Sequence, residues 1–149
     1  MIVRDATVAD LNALMQFQTS MAYETEQIVL DQEILKMGMI SLFDDPGKGK
    51  YYVAEVDSKL AGCLMTTFEW SEWRNGNVLW IQSVYVDSAF RGRGVYKTMY
   101  AYIRRLAERQ PEIRGIRLYA DKSNHAAMSV YRKLGMNGDH YQVFEWMKL

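Results

Sequence analysis

The sequence predicts an α/β (α+β) domain, a mixed sheet with helices covering it. Three observations carry this expectation. Apolar residues cluster in strand-length runs across residues 51–86. Helical spacing appears on both sides of that block. Between them, Val84-Tyr85-Val86-Asp87-Ser88-Ala89-Phe90-Arg91-Gly92-Arg93-Gly94-Val95-Tyr96 reads as an extended segment, a basic glycine-containing turn and the opening of an amphipathic helix. Such a turn bares backbone N–H groups where the helix dipole is most positive, which suits a phosphate or pyrophosphate.

Residues 2–4 form a short first strand. Thr7 then caps a helix over residues 8–17, with Leu11, Leu14 and Met15 at helical spacing and Asp10 three positions after the cap. A second helix is expected over residues 24–39, and Asp44-Asp45-Pro46-Gly47-Lys48-Gly49 is a loop. Residues 51–56, the turn Asp57-Ser58-Lys59 and residues 60–70 make a hairpin. The polar run Ser71-Glu72-Trp73-Arg74-Asn75-Gly76-Asn77 interrupts the sheet before residues 78–86 resume it. From Gly94 to Arg109 the period becomes helical, with Val95, Met99, Ile103 and Leu106 on one face and Pro111 beyond the end. Arg104, Arg105 and Arg109 sit near the C-terminus of that helix, where its dipole favours cations. Ile116, Leu118 and Ala120 alternate as a strand. Ser123 or Asn124 caps a last helix that buries Ala127, Tyr131 and Leu134 and stops at Gly135. Residues 140–149 close the chain as a strand, giving the order β-α-α-β-β-β-α-β-α-β.

Composition bounds the function. The 149 residues suffice for a single domain, residues 1–149, that buries about 70% of its unfolded surface. Eighteen basic and eighteen acidic residues cancel, so no global field draws the chain to nucleic acid or to an anionic membrane. No apolar run reaches membrane-spanning length, and the first residues lack the pattern of a signal peptide. The one cysteine, Cys63, excludes an internal disulfide and fits a reducing compartment, so the cytoplasm is expected. One cysteine and two distant histidines, His125 and His140, offer no recognisable metal ligand set.

With these elements placed, the chain resembles the GNAT superfamily of acetyl-CoA-dependent N-acyltransferases. The family's Gln/Arg-x-x-Gly-x-Gly/Ala loop, preceded by a strand ending in hydrophobic-x-Val, matches Val84-Tyr85-Val86 followed by Arg91-Gly92-Arg93-Gly94-Val95-Tyr96. The family's later Asn, the Tyr seven residues on and the closing Gly match Asn124, Tyr131 and Gly135, with a small residue at Ala127. The likeness spans nearly the whole chain. It implies a mixed, mostly antiparallel sheet of six to seven strands with a splayed central pair and about four helices. One position departs: the last loop residue, usually Gly or Ala, is Tyr96, whose ring either points away from the phosphates or packs along the cofactor.

The resemblance also implies a site. Pantetheine would lie where the strand ending at Val86 splays from the strand of Ile116, pairing with backbone groups of Val84 and Val86. The Val84 N–H would polarise the thioester carbonyl. Amides of Gly92, Arg93, Gly94, Val95 and Tyr96 would hold the pyrophosphate, with Arg93 adding charge. Arg91 either braces the loop or touches phosphate. Tyr131 is the family-matched acid for the leaving thiolate; apart from the motif, it reads as a core aromatic.

An amine of pKa about 10.4 is neutral in roughly one molecule in 2,500 at pH 7, a cost of about 4.6 kcal/mol that a base must partly recover. The family's usual Glu position holds Trp80 here, which leaves Glu69 first, then Glu72 and Glu24. Alternatively, Gln82 and Ser83 order a water that carries the proton.

On the acceptor side, Trp70, Trp73, Trp80, Tyr23 and Tyr85 with Glu24, Glu26, Glu69 and Glu72 favour a cationic amine. The same tryptophans equally suit a core or a homodimer interface. The expected activity is acetyl transfer from acetyl-CoA, with no metal, to a primary amine of a small molecule or peptide. A CoA-binding sensor or interaction module without turnover is the alternative, and a nucleotide or nucleic-acid binder comes third. Against the third stand the zero net charge and the lack of a Gly-x-x-x-x-Gly-Lys-Ser/Thr loop.

Overall fold

A computed structural model describes residues 1–149. The chain forms two compact units, Met1–Arg117 and Leu118–Leu149. The first contains β1 (Ile2–Asp5), a 3-10 turn (Val8–Asp10), α1 (Leu11–Glu26), α2 (Gln32–Asp44), β2 (Lys50–Val56), β3 (Lys59–Ser71) and β4 (Gly76–Val86). A second 3-10 turn (Ser88–Phe90), α3 (Val95–Arg109) and β5 (Ile113–Arg117) complete it. The second unit contains α4 (His125–Lys133).

The strands lie in the order β1-β2-β3-β4-β5. Neighbours are antiparallel except for the parallel pair β4–β5, so the sheet is mixed. It has five strands, not six to seven. Residues 140–149 form no strand despite their apolar alternation, because alternation only makes a segment compatible with a ladder and does not supply a partner strand. The expected strand at Ile116, Leu118 and Ala120 is instead β5, and nothing after Arg117 is a strand. Its ladder is set upstream, where the Asn77 N–H donates to Glu112 O at 2.8 Å and Asn77 pairs with Ile113. Arg114 and Gly115 break the apolar alternation and hide that start from the sequence.

Helix limits also move. The segment expected as a helix over residues 8–17 is a 3-10 turn followed by α1, which runs nine residues further, to Glu26. Buried Gln18 interrupts the apolar stripe that would have signalled the continuation. Gln27, left-handed at φ 56°, ends the helix. The helix expected over residues 24–39 therefore begins only at Gln32, where the Asp31 side chain accepts from the Glu33 and Ile34 N–H groups at 2.9 and 3.0 Å. Asp10 accepts from the Thr7 N–H at 2.8 Å and from both Arg4 guanidinium nitrogens at 2.8 and 2.9 Å. Hydrogen bonding to Arg4 lowers the Asp10 pKa below the usual carboxylate range.

One core cluster joins α1 and α2 to the sheet: Leu14, Phe17, Met39, Leu42, Tyr51, Val53, Cys63 and Tyr85. Helix α3 buries Val95, Met99, Tyr100 and Ile103, the stripe its period predicts apart from the less buried Leu106. A close approach fixes where α3 begins. A Cβ on Gly62 would stand 2.7 Å from Tyr85 O and 3.3 Å from Val95 Cγ1. Gly62→Ala should therefore destabilise the fold by about 1–3 kcal/mol, as overpacking against a rigid backbone does. Urea unfolding checks this: the midpoint should fall at constant slope, and an unchanged midpoint would refute the close approach.

Candidate functional site

The C-terminal half of β4 is irregular. Cys63 pairs with Tyr85 and Met65 with Gln82, so Ser83 and Val84 together face Leu64 across a bulge. Ser83 sits in the left-handed region at φ 55°. Its carbonyl accepts from Gln18 Nε2 at 3.0 Å and lies 3.7 Å from Cys63 Sγ. The Ser83 side chain offsets a small part of the rise that burial gives the Tyr51 hydroxyl. Burial pushes both the Tyr51 hydroxyl and the Cys63 thiol well above their ordinary pKa values, so both stay protonated. On its other side β4 pairs with β5 only from Asn77 to Trp80, which leaves Ile81 to Val86 without a β5 partner.

After β4 the Asp87 side chain accepts from the Ala89 N–H at 2.9 Å, and the chain turns through Arg91 to Gly94. Arg91 holds this turn: Nε donates to Val86 O at 2.9 Å and Nη2 to Glu24 Oε2 at 2.7 Å. The guanidinium also lies 5.5 Å from the Tyr85 ring centre, and the Tyr85 hydroxyl donates to the other Glu24 oxygen at 3.2 Å. Of the two roles open to Arg91, this geometry serves bracing. It also engages Glu24, one of the candidate bases.

Gly92 and Gly94 both have φ 76°, a conformation that glycine adopts without strain. A Cβ on either would meet nothing within 4 Å, so the turn borders open space. No side chain caps α3, and its first-turn N–H groups present partial positive charge at that opening. Arg93 lies 5.5 Å from the Phe90 ring centre. The Tyr96 ring centre is 6.3 Å from that of Tyr100, one turn further along, so the bulky ring lies along the flank of α3. This arrangement can take a multiply charged anion on backbone donors.

Glu69 of β3 accepts from Trp80 Nε1 at 3.2 Å and forms an ion pair with Arg117. The sequence suggested Glu69 as a base without revealing these two partners. Trp73, in the β3–β4 turn, is 88% exposed and belongs to no core in this unit. The sequence does not single out Gln18 as a site residue. Its one signal is a polar residue in phase with the apolar Leu14 and Ala22 of α1.

In the second unit Asn124, not Ser123, caps α4, its side chain accepting from the Ala127 N–H at 3.1 Å. Tyr131 lies on α4, and burial raises its hydroxyl pKa above 10. Gly135, at φ 87°, follows the end of the helix. His125 opens α4, and His140 lies in the irregular C-terminal segment. No helix of the chain is long and apolar enough to cross a membrane.

Strand, bulge, glycine turn and uncapped helix define an acyltransferase-type α+β fold, and comparison with known proteins agrees. The profile of the acetyltransferase (GNAT) family matches residues 10–136, and the chain belongs to that family. A crystal structure described as a possible acetyltransferase from Clostridium difficile 630 is 39% identical, with TM-score 0.91 over 99% of this chain and 97% of that one. A transcriptional regulator from Bacillus halodurans C-125 shares the fold at 21% identity and TM-score 0.81, over 98% and 99% of the two chains. So does a protein from Clostridium acetobutylicum, described as a predicted acetyltransferase and crystallised with acetyl-CoA, at 20% identity and TM-score 0.73, over 99% and 94%. No curated protein matches the chain.

Proposed function

We propose that residues 1–149 work as one N-acetyltransferase domain that moves the acetyl group of acetyl-CoA directly to a primary amine of a small molecule or peptide. The observation that carries this reading is the pair of left-handed glycines, Gly92 and Gly94, opening onto the uncapped start of α3. Family membership and the acetyl-CoA held by the Clostridium acetobutylicum protein support it.

In this reading the amides of Gly92, Arg93, Gly94, Val95 and Tyr96 hold the pyrophosphate, and Arg93 adds charge. Arg91 holds the turn in shape through Glu24 and Val86 O. Tyr96 contributes its amide while its ring lies along α3 beside Tyr100. Val84, Tyr85 and Val86 offer their backbone edge to the pantetheine amides. The Val84 N–H stabilises the oxyanion as the amine nitrogen attacks the thioester carbonyl. Asn124 caps the helix that carries Tyr131. As the C–S bond breaks, the Tyr131 hydroxyl gives its proton to the leaving thiolate. The amine's proton passes to Glu69, oriented by Trp80 and Arg117, and from there to solvent, while solvent returns a proton to the tyrosinate, so protons balance over the turnover. Acetyl-CoA supplies the activated acyl group when bound. A lone cysteine fits a reducing, cytoplasmic setting.

Thiol release from acetyl-CoA, screened against polyamines, amino sugars, amino acids and peptides, tests the activity. Release that depends on one amine class, with the acetylated amine found by mass spectrometry, is expected. Tight CoA binding with no release across the panel would replace this reading with a sensor.

A further inference from the structure

We infer that Gln18 is a positioning residue that aims the oxyanion donor, an inference that rests on the acetyl-transfer reading above. Ser83 C=O and Val84 N–H belong to one trans peptide, and no peptide bond in the chain is cis. In such a peptide the two groups point in opposite directions. Whatever fixes the carbonyl therefore fixes the N–H.

The carbonyl is fixed from the α1 side. Gln18, 5% exposed, brings Nε2 within 3.0 Å of Ser83 O. Cys63 of β3, fully buried, places its sulfur 3.7 Å from the same oxygen, and Gln18 Nε2 is 3.5 Å from that sulfur. With Ser83 O turned toward Gln18 and β3, the Val84 N–H turns away from β3. Along this stretch β4 has no β5 partner, so no ladder bond to β5 takes up that N–H.

Left alone, this peptide would not stay put. A serine in the left-handed region costs about 1–3 kcal/mol and persists only where the surroundings hold it. Gln18 holds the Ser83 carbonyl at 3.0 Å, with the buried Cys63 thiol as a second donor at 3.7 Å. Both act on the peptide that carries the Val84 N–H, and the amide N–H of Gln18 is the stronger donor. A glutamine at an otherwise apolar position of α1 thus has a task that packing alone does not require.

The test uses the full chain, acetyl-CoA labelled with carbon-13 at the thioester carbonyl, and the variant Gln18→Met. Methionine is similar in length and has no donor. Its kcat should fall about tenfold to a hundredfold, somewhat less than for outright loss of an oxyanion donor. The Kd for CoA, which has no acetyl carbonyl, should stay within about threefold. The infrared stretch of the bound thioester carbonyl, lowered in the wild type by the Val84 N–H, should move back toward its value in water-free solvent.

If the variant does not fold, Gln18→Leu, of similar volume and also without a donor, should show the same three signatures. Wild-type kcat and carbonyl stretch in a folded variant would overturn the role of Gln18. Failure of the wild type itself to bind CoA would instead overturn the acetyl-transfer reading.

Discussion

Gly94→Glu should abolish CoA binding while leaving the fold in place. At φ 76° any side chain at this position is strained, at about 1–2 kcal/mol for a non-glycine residue. The new Cβ meets nothing within 4 Å, so no clash disturbs the packing of α3. The larger effect is electrostatic. A carboxylate about 4 Å from a phosphate oxygen costs about 4 kcal/mol at the effective dielectric of a protein surface. That corresponds to roughly a thousandfold in Kd.

Gly94→Ala separates the two contributions, because it adds only the strain, which free and bound protein share; it should lower the unfolding midpoint and leave the Kd within about threefold. Isothermal titration with CoA measures both variants, and circular dichroism checks that they are folded. Near-wild-type affinity in folded Gly94→Glu would move the pyrophosphate away from this turn.

The turn was legible in the sequence because its physics is local. Two glycines, flanking arginines and a helical period beginning at Val95 are all written within a few residues of one another. Helix α3 followed its stripe for the same reason. What was not legible depends on contacts distant in sequence. Nothing near Ser83 announces a left-handed serine, and the side chain that meets its carbonyl, Gln18, lies 65 residues earlier. Arg91 could not be assigned from its motif, since its partner Glu24 lies 67 residues away on α1.

The misplaced limits have a similar origin. Gln27 ends α1 by adopting a conformation that no proline or glycine marks, and the helix expected over residues 24–39 runs straight across it. The strand expected at residues 140–149 rested on alternation alone, and alternation cannot say which neighbour completes a ladder. Gln18 does not stand out in the sequence, because a polar residue inside an apolar stripe reads first as the end of the stripe.

Tyr131→Phe tests the chemical half of the proposal. Phenylalanine keeps the ring and removes only the hydroxyl, so α4 keeps its packing. A proton donor to the leaving group contributes about a hundredfold to ten-thousandfold, and kcat should fall by that order. Acetyl-CoA affinity should stay within about threefold, because the hydroxyl acts on a charge that develops only as the C–S bond breaks.

The pH profile adds an independent signature. Burial raises the Tyr131 pKa above 10, so the neutral, proton-donating form persists to alkaline pH and is lost only as pH rises through that raised value. Wild-type kcat should therefore carry a falling limb on the alkaline side, and the phenylalanine variant should lack it. An unchanged kcat, or an alkaline limb that survives the substitution, would assign the proton to another donor and return Tyr131 to a purely structural role on α4.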